Sequence, residues 1–130
     1  MYLLDTNTLI YFFKGQGRVA ERLLAVAPGE IFLPSIGVFE IETGIAKSHS
    51  PDAFRRDLDD FLSLVMVLPF GLAEARAAAL IRSRLEIAGI PIGPYDVLIA
   101  ATATANRLRL VSRNVREFER VDGLTVENWF

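Results

Sequence analysis

Three acids in this sequence interrupt apolar stretches instead of joining polar ones. Asp5 ends the run Tyr2-Leu3-Leu4 and is followed by Thr6-Asn7 and a second apolar run, Leu9-Ile10-Tyr11-Phe12-Phe13. In an open α/β sheet, ligands gather beyond the carboxyl ends of the strands, so an acid that hands a buried strand over to a helix stands where chemistry takes place. Asp5 is equally suited to capping that helix, by accepting from a free N–H group of its first turn. Glu40 follows Ile36, Val38 and Phe39 in an apolar helical stretch and faces the core side or a cleft. Asp96 falls in the first turn of an otherwise apolar helix, where the helix dipole favours an anion. Carboxylates that converge in one cleft repel one another, and either protonation or a bound cation relieves them. Mg²⁺ suits such a place, because it takes a few carboxylates and completes its shell with waters and substrate phosphate oxygens.

The elements that must position these acids alternate between strand and helix. Tyr2 to Leu4 and the apolar, partly β-branched run Ile31 to Leu33 read as buried strands, and Met66 to Leu68, Leu110 to Ser112 and Leu124 to Val126 as further strands. Helices are expected from Asn7 to Lys14, closed by the Gly15-Gln16-Gly17 turn, from Arg18 to Val26, and from a Ser35 cap to Lys47. Ser50-Pro51-Asp52 supplies a cap, a first-turn proline and an early acid for a helix reaching Leu64. Further helices run from Ala73 to Ala88, with Gly89 just past its end, from Tyr95 to Asn106, and briefly from Val115 to Glu119. This alternation predicts an α/β fold, a three-layer α/β/α sandwich with a mostly parallel central sheet and the first strand at its centre. Residues 1–130 suit a single domain of ordinary size.

Hydrophobic residues make up 52% of the chain and charged residues 23%. That excess supplies a rich core and leaves apolar surface for self-association or a tight protein partner, unless burial on both faces of a parallel sheet absorbs it. There is no cysteine, which excludes disulfides and thiolate metal sites and suits the cytoplasm. Asp5 lies inside what would be the apolar segment of a signal peptide, and no basic region precedes it. No stretch approaches the length of a membrane span. The net charge of −2 comes from 16 acids and 14 Lys and Arg; with three acids committed to a metal, 13 remain against 14, so overall charge does not oppose an RNA partner.

Four segments carry the chemically active residues: Leu4-Asp5-Thr6-Asn7, Phe39-Glu40-Ile41-Glu42-Thr43-Gly44, Ile92-Gly93-Pro94-Tyr95-Asp96-Val97-Leu98-Ile99-Ala100-Ala101, and Val111-Ser112-Arg113-Asn114. In this order, and with the Val126-Glu127-Asn128-Trp129 ending, the chain resembles the PIN-domain endoribonucleases over nearly its whole length, specifically the VapC-type toxins of type II toxin–antitoxin systems. The resemblance implies hydrolysis of RNA, tRNA or other structured RNA, with Mg²⁺ or Mn²⁺ as cofactor. It also implies a cognate VapB-type antitoxin and homodimers or larger assemblies. Asp5, Glu40 and Asp96 match the acids that hold metal and carry catalysis in that family. A metal among them would polarise a phosphoryl oxygen, acidify a bound water and offset charge on the leaving oxygen. In-line attack by water predicts 5′-phosphate and 3′-hydroxyl products.

Asn114 stands where many family members carry a fourth Asp. An amide carbonyl can ligate a cation or orient a water but brings no charge, so one tight ion is expected, with a second recruited by substrate. Glu117, three residues on, is placed to supply the missing carboxylate. Thr6, Asn7 and Ser112 either orient the carboxylates through hydrogen bonds or cap turns, tasks that need the same short polar side chains. Glu42 lies two residues from Glu40 and points away from it on a helix, which reads as a solvated charge. Arg107, Arg109, Arg113, Arg116 and Arg120 form a basic stretch that serves as a solvated face, as phosphate contacts or as carboxylate partners. His49, Trp129, Phe12 and Phe13 read as structural, and Tyr95 flanks Asp96 with access to substrate.

Two other strand-end aspartate chemistries fit poorly. A haloacid-dehalogenase-type phosphatase requires a second Asp where Asn7 stands, and a response-regulator receiver requires paired acids ahead of its phosphorylated Asp. The alternative of another class is a catalytically inactive PIN-like module that binds RNA or protein. Three converging acids weigh against it and Asn114 mildly for it.

Overall fold

Leu3 and Leu4 point to opposite faces of one strand, yet both are fully buried, which demands cover on both sides of the sheet. The computed structural model describes residues 1–130 and provides that cover. Its strands are β1 (Tyr2–Leu4), β2 (Ile31–Pro34), β3 (Met66–Leu68), β4 (Arg109–Val111) and β5 (Val126–Glu127). All pairings are parallel, in the order β3-β2-β1-β4-β5, with β1 at the centre.

Helices α1 (Thr6–Phe13), α2 (Val19–Leu24), α3 (Ser35–Ala46) and α4 (Pro51–Leu62) cover one face. Their Leu9, Val19, Leu23, Ile41, Ile45, Leu58 and Phe61 pack with Leu4, Ile31, Leu33 and Val111 of the strands. Helices α5 (Leu72–Ile87), α6 (Pro94–Ala105) and α7 (Val115–Phe118) cover the other, bringing Leu85, Ile99, Ala100, Ala103 and Phe118 against Leu3 and Leu110. Adjacent strand residues thus divide between two cores, which is the period-two alternation of a strand made visible. The expected α/β/α sandwich is the observed fold.

Some local expectations shift. Pro34 occupies the cap position of α3, and Ser35 is its first residue with no capping bond from its side chain. Ser50 sits at the cap position of α4 but its hydroxyl does not bond the helix. The last strand starts at Val126, because Leu124 is still held in the preceding turn by its N–H bond to the Val121 carbonyl at 3.4 Å. Gly89 closes α5 with φ +74°, as its place in the sequence predicts.

The aromatic residues read as structural are structural. Trp129 is buried, packs on Tyr2 with ring centroids 5.0 Å apart, and donates its indole N–H to Glu127 Oε1 at 3.2 Å. Phe12 and Phe13 both pack on Phe61. The register that matters most sets Leu4 beside Val111, so that Asp5 and Ser112 leave the ends of neighbouring strands side by side.

Candidate active site

Asp5 leaves β1 in extended conformation and caps α1, its Oδ1 accepting the Thr8 N–H at 2.8 Å. Its own N–H donates to the Val111 carbonyl at 3.1 Å, and the Thr8 hydroxyl donates to the same carbonyl at 3.1 Å. This ties the start of α1 to the end of β4. The Ser112 side chain lies beside the Asp5 carboxylate and favours its charged form, while Ser112 Oγ accepts the Asn114 N–H at 2.9 Å. Asp5 is only 7% exposed. Burial pushes its carboxyl above the usual 3.8, against the opposing pull of Ser112 and Thr8. The capping reading of Asp5 is therefore correct, and the cap engages one of its two carboxylate oxygens.

Glu40, on α3, accepts the Thr6 hydroxyl at 2.8 Å through Oε1. Gly37 makes this approach of α1 to α3 feasible. A Cβ there would stand 3.3 Å from Pro34 Cγ and 3.4 Å from Thr6 Oγ1, tighter than the packing readily tolerates. Thr6 thus bonds Glu40, one of the three acids.

Asp96, in the first turn of α6, is half-buried and its carboxyl is pushed from 3.8 to about 6. Desolvation is the largest cause, followed by the charges of Glu117, Asp5 and Glu40. Four acids, one just past β1 and the others on α3, α6 and α7, therefore share one electrostatic neighbourhood, and Glu117 is the charge Asp96 feels most strongly. The carboxylates do not form a closed cage, because no three of them stand at the spacing that would grip one ion unaided. Thr6 of α1 holds Glu40 of α3, and the Thr8 N–H of α1 holds Asp5.

Asn114 lines an open pocket of about 240 Å³ together with Asp5, Asn7, Tyr11 and Arg113. Its side chain makes no capping bond to α7, so the carboxamide is available to that pocket. Sequence reading missed Thr8 and Tyr11. Thr8 is the third residue after a capping Asp, where a cap bond lands, and Tyr11 is one turn beyond Asn7 on the same helix face.

Glu42 is not a free solvated charge. Arg55 of α4 binds it through two nitrogens, one at 2.6 Å, and this bond holds the Glu42 carboxyl below its usual value. The pair joins α3 to α4 away from the acids. Arg109 pairs with Glu127 at 3.1 Å and Arg120 donates to the Pro91 carbonyl at 3.1 Å, leaving Arg113 as the member of the basic stretch that lines the acid pocket.

The raised Asp96 carboxyl has a consequence for stability without metal. A carboxyl whose folded pKa exceeds its unfolded value stabilises the fold when protonated, fully below about 3.8, and loses that contribution as pH rises through about 6. Asp96→Asn removes the ionisation. In chelator-treated protein at pH 7.5 it is expected to raise stability by about 1 kcal/mol, allowing for solvent screening, or roughly 4 °C in Tm. The gain should vanish near pH 3.5, and thermal denaturation at the two pH values checks it. A lower Tm for the variant at pH 7.5 would contradict the repulsion.

A sheet of order β3-β2-β1-β4-β5 with acids gathered past the end of its central strand is the architecture of the PIN fold. The PIN domain family model matches residues 2–124, and the chain belongs to that family. Within it the chain is similar to proteins named VapC. The chain is 34% identical over 128 residues to the tRNA(fMet)-specific endonuclease VapC of Shigella flexneri, covering 98% of this chain and 97% of the relative. It is 38% identical to Ribonuclease VapC2 of Haemophilus influenzae over the same shares. Among solved structures, VapBC2 from Rickettsia felis bound to a promoter DNA fragment superposes with a TM-score of 0.92 at 33% identity, covering 99% of this chain and 98% of that one.

Proposed function

We propose that this chain is a toxin that hydrolyses RNA phosphodiester bonds with Mg²⁺ or Mn²⁺ and is neutralised by a VapB-type antitoxin. The observation that carries the reading is the shared neighbourhood of Asp5, Glu40, Asp96 and Glu117 beyond the carboxyl end of the central strand. The ribonuclease names of the relatives and the toxin–antitoxin complex among the solved neighbours support it.

The donor set fits a hard divalent cation, being carboxylates with one amide and no sulfur or imidazole. Asp5, Asp96 and Glu40 would hold it only together with waters and substrate phosphate oxygens, since no three of the acids grip an ion unaided, with Glu117 in place of the charge that Asn114 lacks. Such an ion, when bound, acidifies a water and neutralises phosphoryl charge. Asp5 contributes a carboxylate fixed by the Thr8 N–H, so little reorganisation is needed when substrate arrives. Thr6 holds Glu40 in its orientation. Asn114 and Asn7, facing the pocket, can hydrogen-bond a water or a ribose hydroxyl.

An antitoxin needs surface to cover. An apolar groove of about 380 Å³ between α1, α2 and α4, lined by Phe12, Phe13, Leu23, Leu24, Phe61 and Leu64, with Asp57 and Asp60 among its lining, provides it, and Leu24 is 81% exposed there. The chain has no helix long and apolar enough to cross a membrane, and the lack of cysteine accords with a cytoplasmic protein. Incubation with initiator tRNA transcript and Mn²⁺, followed by end analysis, tests the reaction. Products with 5′-phosphate and 3′-hydroxyl ends are expected, and 2′,3′-cyclic phosphate ends would overturn the hydrolytic route.

A further inference from the structure

We propose that Arg113 is a positioning residue that holds an RNA phosphate beside the acid pocket, and that Phe130 keeps its guanidinium there; this rests on the nuclease reading above. Arg113 lies between Ser112 and Asn114 in sequence and lines the same pocket as Asp5, Asn7, Tyr11 and Asn114. A cation beside carboxylates would ordinarily pair with them. Arg113 makes no ion pair, unlike Arg22, Arg55, Arg82 and Arg109. Its guanidinium carbon lies instead 3.7 Å from the centroid of the Phe130 ring and 5.7 Å from that of Tyr11.

The aromatic shelf is built from separate parts of the chain. Tyr11 and Phe130 meet edge to face with centroids 4.8 Å apart, and the Phe130 N–H donates to Asn128 Oδ1 at 2.9 Å. A Cβ at Gly17 would lie 2.8 Å from the Phe130 Cα and carbonyl carbon, and Gly17 has φ +64°. Only glycine admits Phe130 to that seat. A guanidinium stacked by its face keeps its in-plane N–H donors free, the geometry that matches two phosphate oxygens. RNA approaching a pocket of acids brings like charge to like charge. A fixed and unpaired cation at that pocket offsets the repulsion before any bond is broken.

The test uses initiator tRNA transcript with the unmodified protein, Arg113→Gln, Arg113→Lys and Phe130→Ala, alongside binding measured in the Asp5→Asn background as salt is varied. Arg113→Gln is expected to raise KM about tenfold while kcat changes by less than about threefold, and to make the slope of log Kd against log salt shallower by about 0.7 to 1. Arg113→Lys should restore the slope and only part of KM, because an ammonium lacks the planar fork. Phe130→Ala should raise KM about threefold with the slope unchanged, since charge is kept and preorganisation is lost. Cleavage by the unmodified protein combined with unaltered KM and salt slope in Arg113→Gln overturns this inference alone. A loss confined to kcat in both Arg113 variants overturns it as well. Failure of the unmodified protein to cleave overturns the nuclease reading and this inference with it.

Discussion

Asp5→Asn is expected to lower the rate of RNA cleavage by roughly 10³-fold, the scale on which removing a group that acts on the transferred proton or on developing charge is felt. The substitution isolates charge. Asn caps helices as well as Asp, so the Thr8 N–H retains an acceptor at the position where Asp5 Oδ1 now receives it at 2.8 Å. The Ser112 hydroxyl can rotate to accept from the new amide while still receiving the Asn114 N–H. Burial already disfavours the Asp5 carboxylate, so the variant should be no less stable than the parent in metal-free buffer. Calorimetric titration with Mn²⁺ should show weakened binding in parallel with the lost activity. A variant that cleaves within about tenfold of the parent rate would remove Asp5 from the chemistry. Persistent growth arrest on expression of the variant would favour the reading in which binding alone suffices.

The largest stability effect is expected at Phe118. Its side chain is fully buried with Leu3, Leu110, Ile99 and Val121, and α7, the four-residue helix that carries it, is far too short to hold itself together. Phe118→Ala should cost about 3–5 kcal/mol, a large share of the roughly 5–15 kcal/mol that folds a domain. Thermal denaturation should show a Tm lower by about 10–20 °C. Activity should fall too, because Phe118 anchors the turn that presents Asn114 and Glu117, its N–H bonding the Asn114 carbonyl at 3.3 Å. Phe118→Leu should recover most of both losses, since it restores apolar volume. A Tm change in Phe118→Ala of under about 3 °C would mean that α7 is anchored elsewhere.

These expectations rest on different amounts of sequence information. The sandwich was legible because buried parallel strands must be continuous apolar runs, and Tyr2 to Leu4 and Ile31 to Leu33 are such runs. Asp5, Glu40 and Asp96 stood out because each breaks an apolar pattern that packing alone would have preserved. Element ends were less legible. Ser35 and Ser50 look like caps, but whether a hydroxyl turns toward the helix depends on the path of the chain before it. The pairing of Glu42 was not legible because its partner, Arg55, lies 13 residues away on another helix, and helix spacing says nothing of the neighbour across an interface.

Local order and residue type were therefore determined by the sequence itself: which segments are strands, which helices cover them, and which acids are misplaced for solubility. Their combination was decided by tertiary structure. The placing of β4 beside β1 brings Ser112 to Asp5, and the packing of α6 and α7 on the same side puts Glu117 nearest in charge to Asp96. Strand pattern constrains which face each side chain meets, whereas convergence of residues 5, 40, 96 and 117 depends on crossovers dozens of residues long. The seat of Phe130 under Arg113 is of the second kind, since Gly17, Tyr11 and Phe130 acquire their meaning only when three distant turns of the chain meet.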